Sequence, residues 1–151
     1  MKNQLQKNLI SNEIVSCATL IKVLTLREFK KLDLEITPEQ FVLLDAIVNN
    51  EKIYQRQLGE LLGKDRANIA RLLKILENKG LIEKTPDSNG KQINRIVITK
   101  KGETIRNKIL PKISIIRENY LNNINYQELI NCFTILNKIK NNIAKNTKLQ
   151  T

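Results

Sequence analysis

The chain of 151 residues carries 26 Lys and Arg against 15 Asp and Glu, a formal net charge of +11, and 41% of it is apolar. That apolar share is enough for a core, and the length suits one domain with helical arms rather than a disordered chain. With no histidine, Ser-His-Asp triads, Cys-His dyads and His-ligated metals are excluded, and neither common Gly-rich phosphate cradle occurs.

Residues from about 8 to 33 read as one long helix, because Ile10, Ile14, Cys17, Ile21 and Leu24 recur on a single stripe. Thr37-Pro38-Glu39-Gln40 opens a second helix. Thr37 can cap it, Pro38 suits its first position, Gln40 completes a capping box, and Ile36 and Phe41 are placed as a hydrophobic staple. A short extended piece near Lys52-Ile53-Tyr54 precedes a third helix, Gln55 to Leu62, which Gly63 ends. Asp65 then caps a fourth helix from Arg66 to about Lys79, and Gly80 suits a left-handed closing residue with Leu81 packing back. Two helices joined by a short Gly-containing turn have the sequence form of a helix-turn-helix.

Beyond Gly80 the period changes. Leu81 to Lys84 and Ile93 to Ile98 are short runs around the turn cluster Pro86-Asp87-Ser88-Asn89-Gly90, so a β-hairpin with a polar tip is expected. Thr99 caps a fifth helix carrying Ile105, Ile109, Ile113, Ile116 and Tyr120, with a bend expected at Pro111. A sixth follows Asn125 with Leu129, Phe133, Leu136, Ile139 and Ile143 on its apolar face. The expected fold is mainly α: a winged helix-turn-helix lobe over residues 37–99, a helical arm before it (1–36) and two after it (100–151).

The 22 Ile and 19 Asn suggest that coding bias alone can enrich Lys, so where the charge falls matters more than its total. Residues 1–50 are balanced, whereas 51–101 hold 12 basic and 6 acidic groups and 102–151 hold 8 and 3. That distribution fits a footprint for a polyanion, and on charge alone it fits a solvated basic surface equally well. The fourth helix adds chemistry. Ile69, Leu72, Leu73 and Leu76 form its apolar stripe, and Arg66, Ala67, Asn68, Ala70, Arg71 and Lys74 face the other way. Arg can fork onto guanine O6 and N7, Asn can pair with adenine N6 and N7, and Ala can meet a thymine methyl. In a major groove the N-terminal end of such a helix reads the bases.

Three stretches carry a family resemblance: Gln57-Leu58-Gly59-Glu60-Leu61-Leu62-Gly63, the run from Asn68 to Ile82, and Ile98-Thr99-Lys100-Lys101-Gly102. Together with Leu34 to Leu44 they resemble the MarR family of winged helix-turn-helix regulators, in order along nearly the whole chain. The resemblance implies a homodimer built by the first, fifth and sixth helices, with two lobes on a pseudo-palindromic site in double-stranded DNA. It implies a transcriptional regulator, of the repressor type common in the family, and a small-molecule effector or cysteine oxidation as the release signal many members use. Carried over by position, the groove-facing contacts would be Arg66, Ala67, Asn68, Arg71 and Lys74, and the wing would span Asp87 to Gln92. Phosphate contacts are expected from Arg56, Lys64, Lys84 and Lys91. The family's wing Asp-x-Arg is replaced here by Gly90-Lys91-Gln92, so Asn89, Lys91 or Gln92 would have to serve the minor groove. Lys91 lacks the planar fork of Arg, which weakens shape readout at the flanks.

The stripes Ile10, Ile14, Cys17, Ile21, then Ile109, Ile113, Ile116, then Phe133, Leu136 and Ile139 are expected to form the dimer interface, since a lobe of about 65 residues leaves such arms little to bury against. Dimerisation sets two recognition helices about 34 Å apart, one DNA turn. Oxidation-sensing members of the family place a reactive cysteine on the first helix, but Cys17 falls about one turn from that position. Core packing as an inert small hydrophobe is the expectation for Cys17 and Cys132. Tyr120 and Tyr126 either line a ligand cleft or end helices. No cofactor, metal or catalytic group is expected. Nor is a membrane span, since no uninterrupted apolar run approaches about 20 residues. Met1-Lys2-Asn3-Gln4 leads into no signal-peptide core, so a cytoplasmic location is expected. Two other classes stay open: a winged helix acting as a protein-interaction module, and an enzyme built on carboxylates or lysine.

Overall fold

A computed structural model describes residues 2–50, 53–86 and 94–147. The elements run α1 (Lys2–Lys31), α2 (Pro38–Val48), β1 (Ile53–Tyr54), α3 (Gln55–Leu62), α4 (Arg66–Asn78), β2 (Ile82–Pro86), β3 (Asn94–Ile98), α5 (Lys100–Tyr120) and α6 (Tyr126–Thr147). The chain divides into two compact units, Met1–Leu43 and Leu44–Thr151.

In the first unit α1 is a single long helix, and Phe29 near its end meets Phe41 edge-on with centroids 6.1 Å apart. The chain turns through Asp33 at φ 46, a left-handed conformation that Asp tolerates better than most residues. The capping box forms as its residues dictate: Thr37 Oγ1 accepts from the Gln40 N–H at 3.3 Å, and Gln40 Oε1 accepts from the Thr37 N–H at 3.2 Å. Ile36 and Phe41, the expected staple residues, are both buried. The span Leu5–Lys31 is long and apolar enough to cross a membrane. An uninterrupted-run criterion passes over it because Lys7, Ser11, Glu13 and Lys22 break the run. Leu9, Ile10, Val15, Leu20, Ile21 and Val23 are exposed along it, an arrangement that in a helix apolar on several sides calls for cover from elsewhere.

The second unit is built around the apolar faces of α2, α3 and α4, with Leu44, Leu58, Ile69, Leu73 and Leu76 fully buried. Its sheet is antiparallel in the order β1-β3-β2. The extended piece at Ile53–Tyr54 is thus a strand of the wing sheet: Ile53 pairs with Ile96 and Tyr54 with Arg95. On the other side β2 pairs with β3 from Ile82 opposite Ile98 to Pro86 opposite Asn94. Ile96, on the central strand β3, is buried, whereas its neighbours Arg95 and Val97, which point to the opposite face, are half-buried. Gln57 Oε1 accepts from the Tyr54 N–H at 2.9 Å, joining the end of β1 to the start of α3.

Helix α5 runs through Pro111, which cannot donate to the Asn107 carbonyl. Arg106 on α5 binds Asp45 on α2, Nε to Oδ1 at 2.8 Å and Nη2 to Oδ1 at 2.7 Å. Helix α6 starts with a reciprocal cap, Asn125 Oδ1 accepting from Glu128 N–H and Glu128 Oε2 from Asn125 N–H. Near its other end Lys140 donates to the Leu61 carbonyl at 3.0 Å, placing a cation on an orphan carbonyl in the last turn of α3.

Candidate nucleic-acid interface

Helix α4 begins where the sequence requires it. Asp65 is extended (φ −66, ψ 158), and its Oδ1 accepts from the Asn68 N–H at 2.8 Å, satisfying one of the free donors of the first turn. The turn before it closes with Gly63 at φ 61, in the left-handed region where a side chain would be strained, and Lys64 N–H donates to the Gly59 carbonyl. At Gly59 the chain also passes close, since a Cβ there would sit 3.1 Å from the Lys64 carbonyl oxygen. The two helices of the motif are therefore fixed by local sequence as well as by their shared core.

One face of α4, Ile69, Leu72, Leu73 and Leu76, is wholly buried. The other presents Arg66, Ala67, Ala70, Arg71 and Lys74 to solvent, with Asn68 half-buried beside them. The structure thus gathers the expected base-reading residues on one exposed helical face. Arg71 Nη2 donates to Asn68 Oδ1 at 3.2 Å. Arg56 on α3 is 77% exposed and pairs with Glu60 at 2.9 Å. An exposed i,i+4 pair contributes only about 0.3–0.5 kcal/mol, so a phosphate can displace Glu60. Lys64 lies half-buried in the turn between the helices.

The far end of α4 is stapled to the wing and to α5. Gly80, at φ 69, lets the chain reverse, and Leu81 N–H returns to the Leu76 carbonyl at 2.9 Å. Lys84 on β2 reaches Glu77 on α4 at 2.7 Å, so this lysine supports the strand as well as adding charge. Thr99 Oγ1 donates to the Gly80 carbonyl at 2.7 Å and accepts from the Gly102 N–H at 3.1 Å, while Lys101 Nζ donates to the Lys79 carbonyl at 2.9 Å. The base of the hairpin and the start of α5 are therefore tied to the C-terminal end of α4. The hairpin's expected tip, with Asn89, Lys91 and Gln92, lies outside the described residues.

The expected dimerisation residues separate into two groups. Ile10, Cys17, Ile21, Phe133 and Leu136 are exposed, Phe133 by 66%, and Ile14, Ile116 and Ile139 are half-buried. Ile109 and Ile113 are 1% and 6% exposed. Both are already covered within the single chain. The expectation of packed cysteines is corrected: Cys17 and Cys132 are both exposed thiols. Their stripes are apolar, but apolar neighbours along a helix do not cover a residue unless another element lies over it. Tyr120 and Tyr126 are exposed as well.

The MarR family pattern matches residues 34–93 of this chain, which take in α2 to α4, β1 and β2. Over 138 residues the chain is 30% identical to the uncharacterized HTH-type transcriptional regulator YybA of Bacillus subtilis, covering 91% of each. It is 31% identical to the HTH-type transcriptional regulator SarZ of Staphylococcus aureus over 142 residues, 94% of this chain and 90% of SarZ. A protein from Listeria monocytogenes, described as a MarR family transcriptional regulator and solved complexed with a 26mer DNA, superposes with a TM-score of 0.78. It is 30% identical, with 89% of each chain covered.

Proposed function

This chain belongs to the MarR family and is a DNA-binding transcriptional regulator, and we propose that two copies grip a pseudo-palindromic duplex site through α4, acting as a repressor by occupying it. The observation that carries this reading is the division of α4 into a wholly buried apolar face and an exposed face of Arg66, Asn68, Arg71 and Lys74 behind an Asp65 cap. Residues 37–99 form the reading lobe in this proposal. A second copy covers the exposed apolar side chains of α1, and likewise Phe133, Leu136 and their neighbours on α6. A protein partner suits α1 better than a bilayer, because Lys7, Glu13 and Lys22 recur along it and can be met by polar groups across an interface. Work on duplex DNA places the protein in the cytoplasm, and an effector, where one acts, would act by changing the spacing of the two α4 helices.

Phosphate contacts from Arg56, Lys64, Lys84 and Lys91 position the dimer, and the head of α4 reads the bases. Selection from a random DNA pool should return an inverted repeat with half-sites about 10 bp apart, and a pool that returns no common sequence would contradict the proposal. Between about 50 and 200 mM salt, affinity for the selected duplex should fall by about 10³-fold or more; a titration curve flat in salt would rule out phosphate-led binding. Arg66→Ala should cost about 1–3 kcal/mol on the selected duplex and far less on random DNA. An equal loss on both would make Arg66 a phosphate contact.

A further inference from the structure

No described residue of α6 is buried; Leu129, Asn137 and Ile139 are half-buried and the rest are exposed. Helix α5 differs, being anchored by the buried Ile109 and Ile113. A polar bond nevertheless joins α6 to the helix-turn-helix: Lys140 Nζ donates to the Leu61 carbonyl at 3.0 Å. The place of that bond matters. A helical carbonyl is normally satisfied by the N–H four residues on, which for Leu61 belongs to Asp65. Asp65 is extended and already begins the next helix, so α3 leaves this carbonyl to an outside donor. A cation there also meets the negative end of the α3 dipole. Leu61 stands two residues before Gly63, whose left-handed turn leads straight to the Asp65 cap. A shift of the end of α3 therefore reaches the start of α4 at once. By charge Lys140 belongs with the phosphate-seeking lysines, yet its ammonium is directed at the protein's own backbone.

We propose that Lys140 is a positioning residue for DNA binding. Its ammonium holds the end of α3, and through the turn the start of α4, at a set place against α6. The helix whose exposed Phe133 and Leu136 a second copy covers is then the helix that sets where α4 points. Pairing two copies and aiming two α4 helices become one geometric event, joined at Lys140. An exposed cation on a helix end adds little to stability, so the fold survives its loss while the aim of α4 does not. The inference rests on the regulator reading and deepens it by naming a residue that controls DNA affinity without touching DNA.

The test compares the full chain with Lys140→Met, Lys140→Arg and Lys138→Met on the selected duplex, over a range of salt. Lys138 is exposed on another side of α6, so its variant removes the same charge without touching the bond. Lys140→Met should lower affinity about tenfold, the size of effect that residues acting at a distance produce. Its melting temperature should stay within about 2 °C, and its slope of log affinity against log salt should match the parent. Lys140→Arg, which keeps a cation with N–H donors, should stay within about threefold of the parent, and Lys138→Met within about twofold. A slope that falls by about one per copy would make Lys140 a phosphate contact and overturn the proposal. So would an unchanged affinity, an equal loss in Lys138→Met, or a melting temperature that falls in step with affinity. A Lys140→Met protein that sediments as a single copy where the parent is paired would also overturn it, by moving Lys140 to the interface. A parent protein that binds selected and scrambled duplexes alike would overturn the regulator reading and this proposal with it.

Discussion

Replacing Gly102 by alanine should destabilise the protein by about 3 kcal/mol, lowering its melting temperature by on the order of 10 °C at fixed protein concentration. Alanine normally favours a helix interior over glycine by about 1 kcal/mol, so propensity alone gives the opposite sign. Packing reverses it. A Cβ at Gly102 would fall onto the Leu81 carbonyl oxygen and sit 2.7 Å from Ile98 Cγ1. The Leu81 carbonyl cannot swing aside cheaply, since it accepts the Thr99 N–H at 3.1 Å. The first turn of α5 would have to lift, breaking the Thr99 bonds that tie it to Gly80. DNA affinity should fall with stability, because the same corner carries the wing. Lys100→Ala, on an exposed neighbour, should stay within about 0.5 kcal/mol. A Gly102→Ala protein that melts like the parent would show that α5 does not approach Leu81 this closely.

Asp45→Ala should cost about 3 kcal/mol, near the lower end for breaking a buried ion pair. The side chains of Arg106 and Asp45 are only 15% and 20% exposed, and both Nε and Nη2 converge on one oxygen. Removing Asp45 leaves a guanidinium with little water and no counter-charge, although Arg106 Nη1 keeps Asn107 Oδ1 at 3.3 Å. Replacing both, Asp45→Leu with Arg106→Met, should recover much of the loss, because the desolvation cost of both charges disappears with them. Urea unfolding with an unchanged slope gives the numbers. If Asp45→Ala loses less than about 0.5 kcal/mol, the pair behaves as an exposed one, and its role in fixing α5 against α2 falls.

What the sequence discloses here is mostly local. Thr37 with Gln40, Asp65 and Thr99 each cap within three residues, so the chemistry of a short word sets where α2, α4 and α5 start. The stripe Ile69, Leu72, Leu73 and Leu76 is legible for the same reason: one helical period separates the buried face from the exposed one. Contacts between distant residues are not written this way. The pairing of Ile53 with Ile96 and the bond from Arg106 to Asp45, 61 residues away, depend on how elements meet, and neither leaves a periodic trace. Gly102 belongs to a run whose resemblance to a family is readable, while its physical reason, the approach to Leu81, appears only in three dimensions. Period likewise cannot distinguish Ile109 and Ile113, closed within the chain, from Phe133, which is open. All are apolar residues at helical spacing, and which is covered depends on neighbours.

The most direct measurement is the ratio of affinities of the full chain for its selected inverted-repeat duplex and for a scrambled duplex of equal length and composition, at about 150 mM salt. The expected ratio is about 10³ or more, falling steeply when Arg66 and Arg71 are both replaced by alanine. Equal affinity for the two duplexes would contradict sequence reading by α4, whatever the family of the chain.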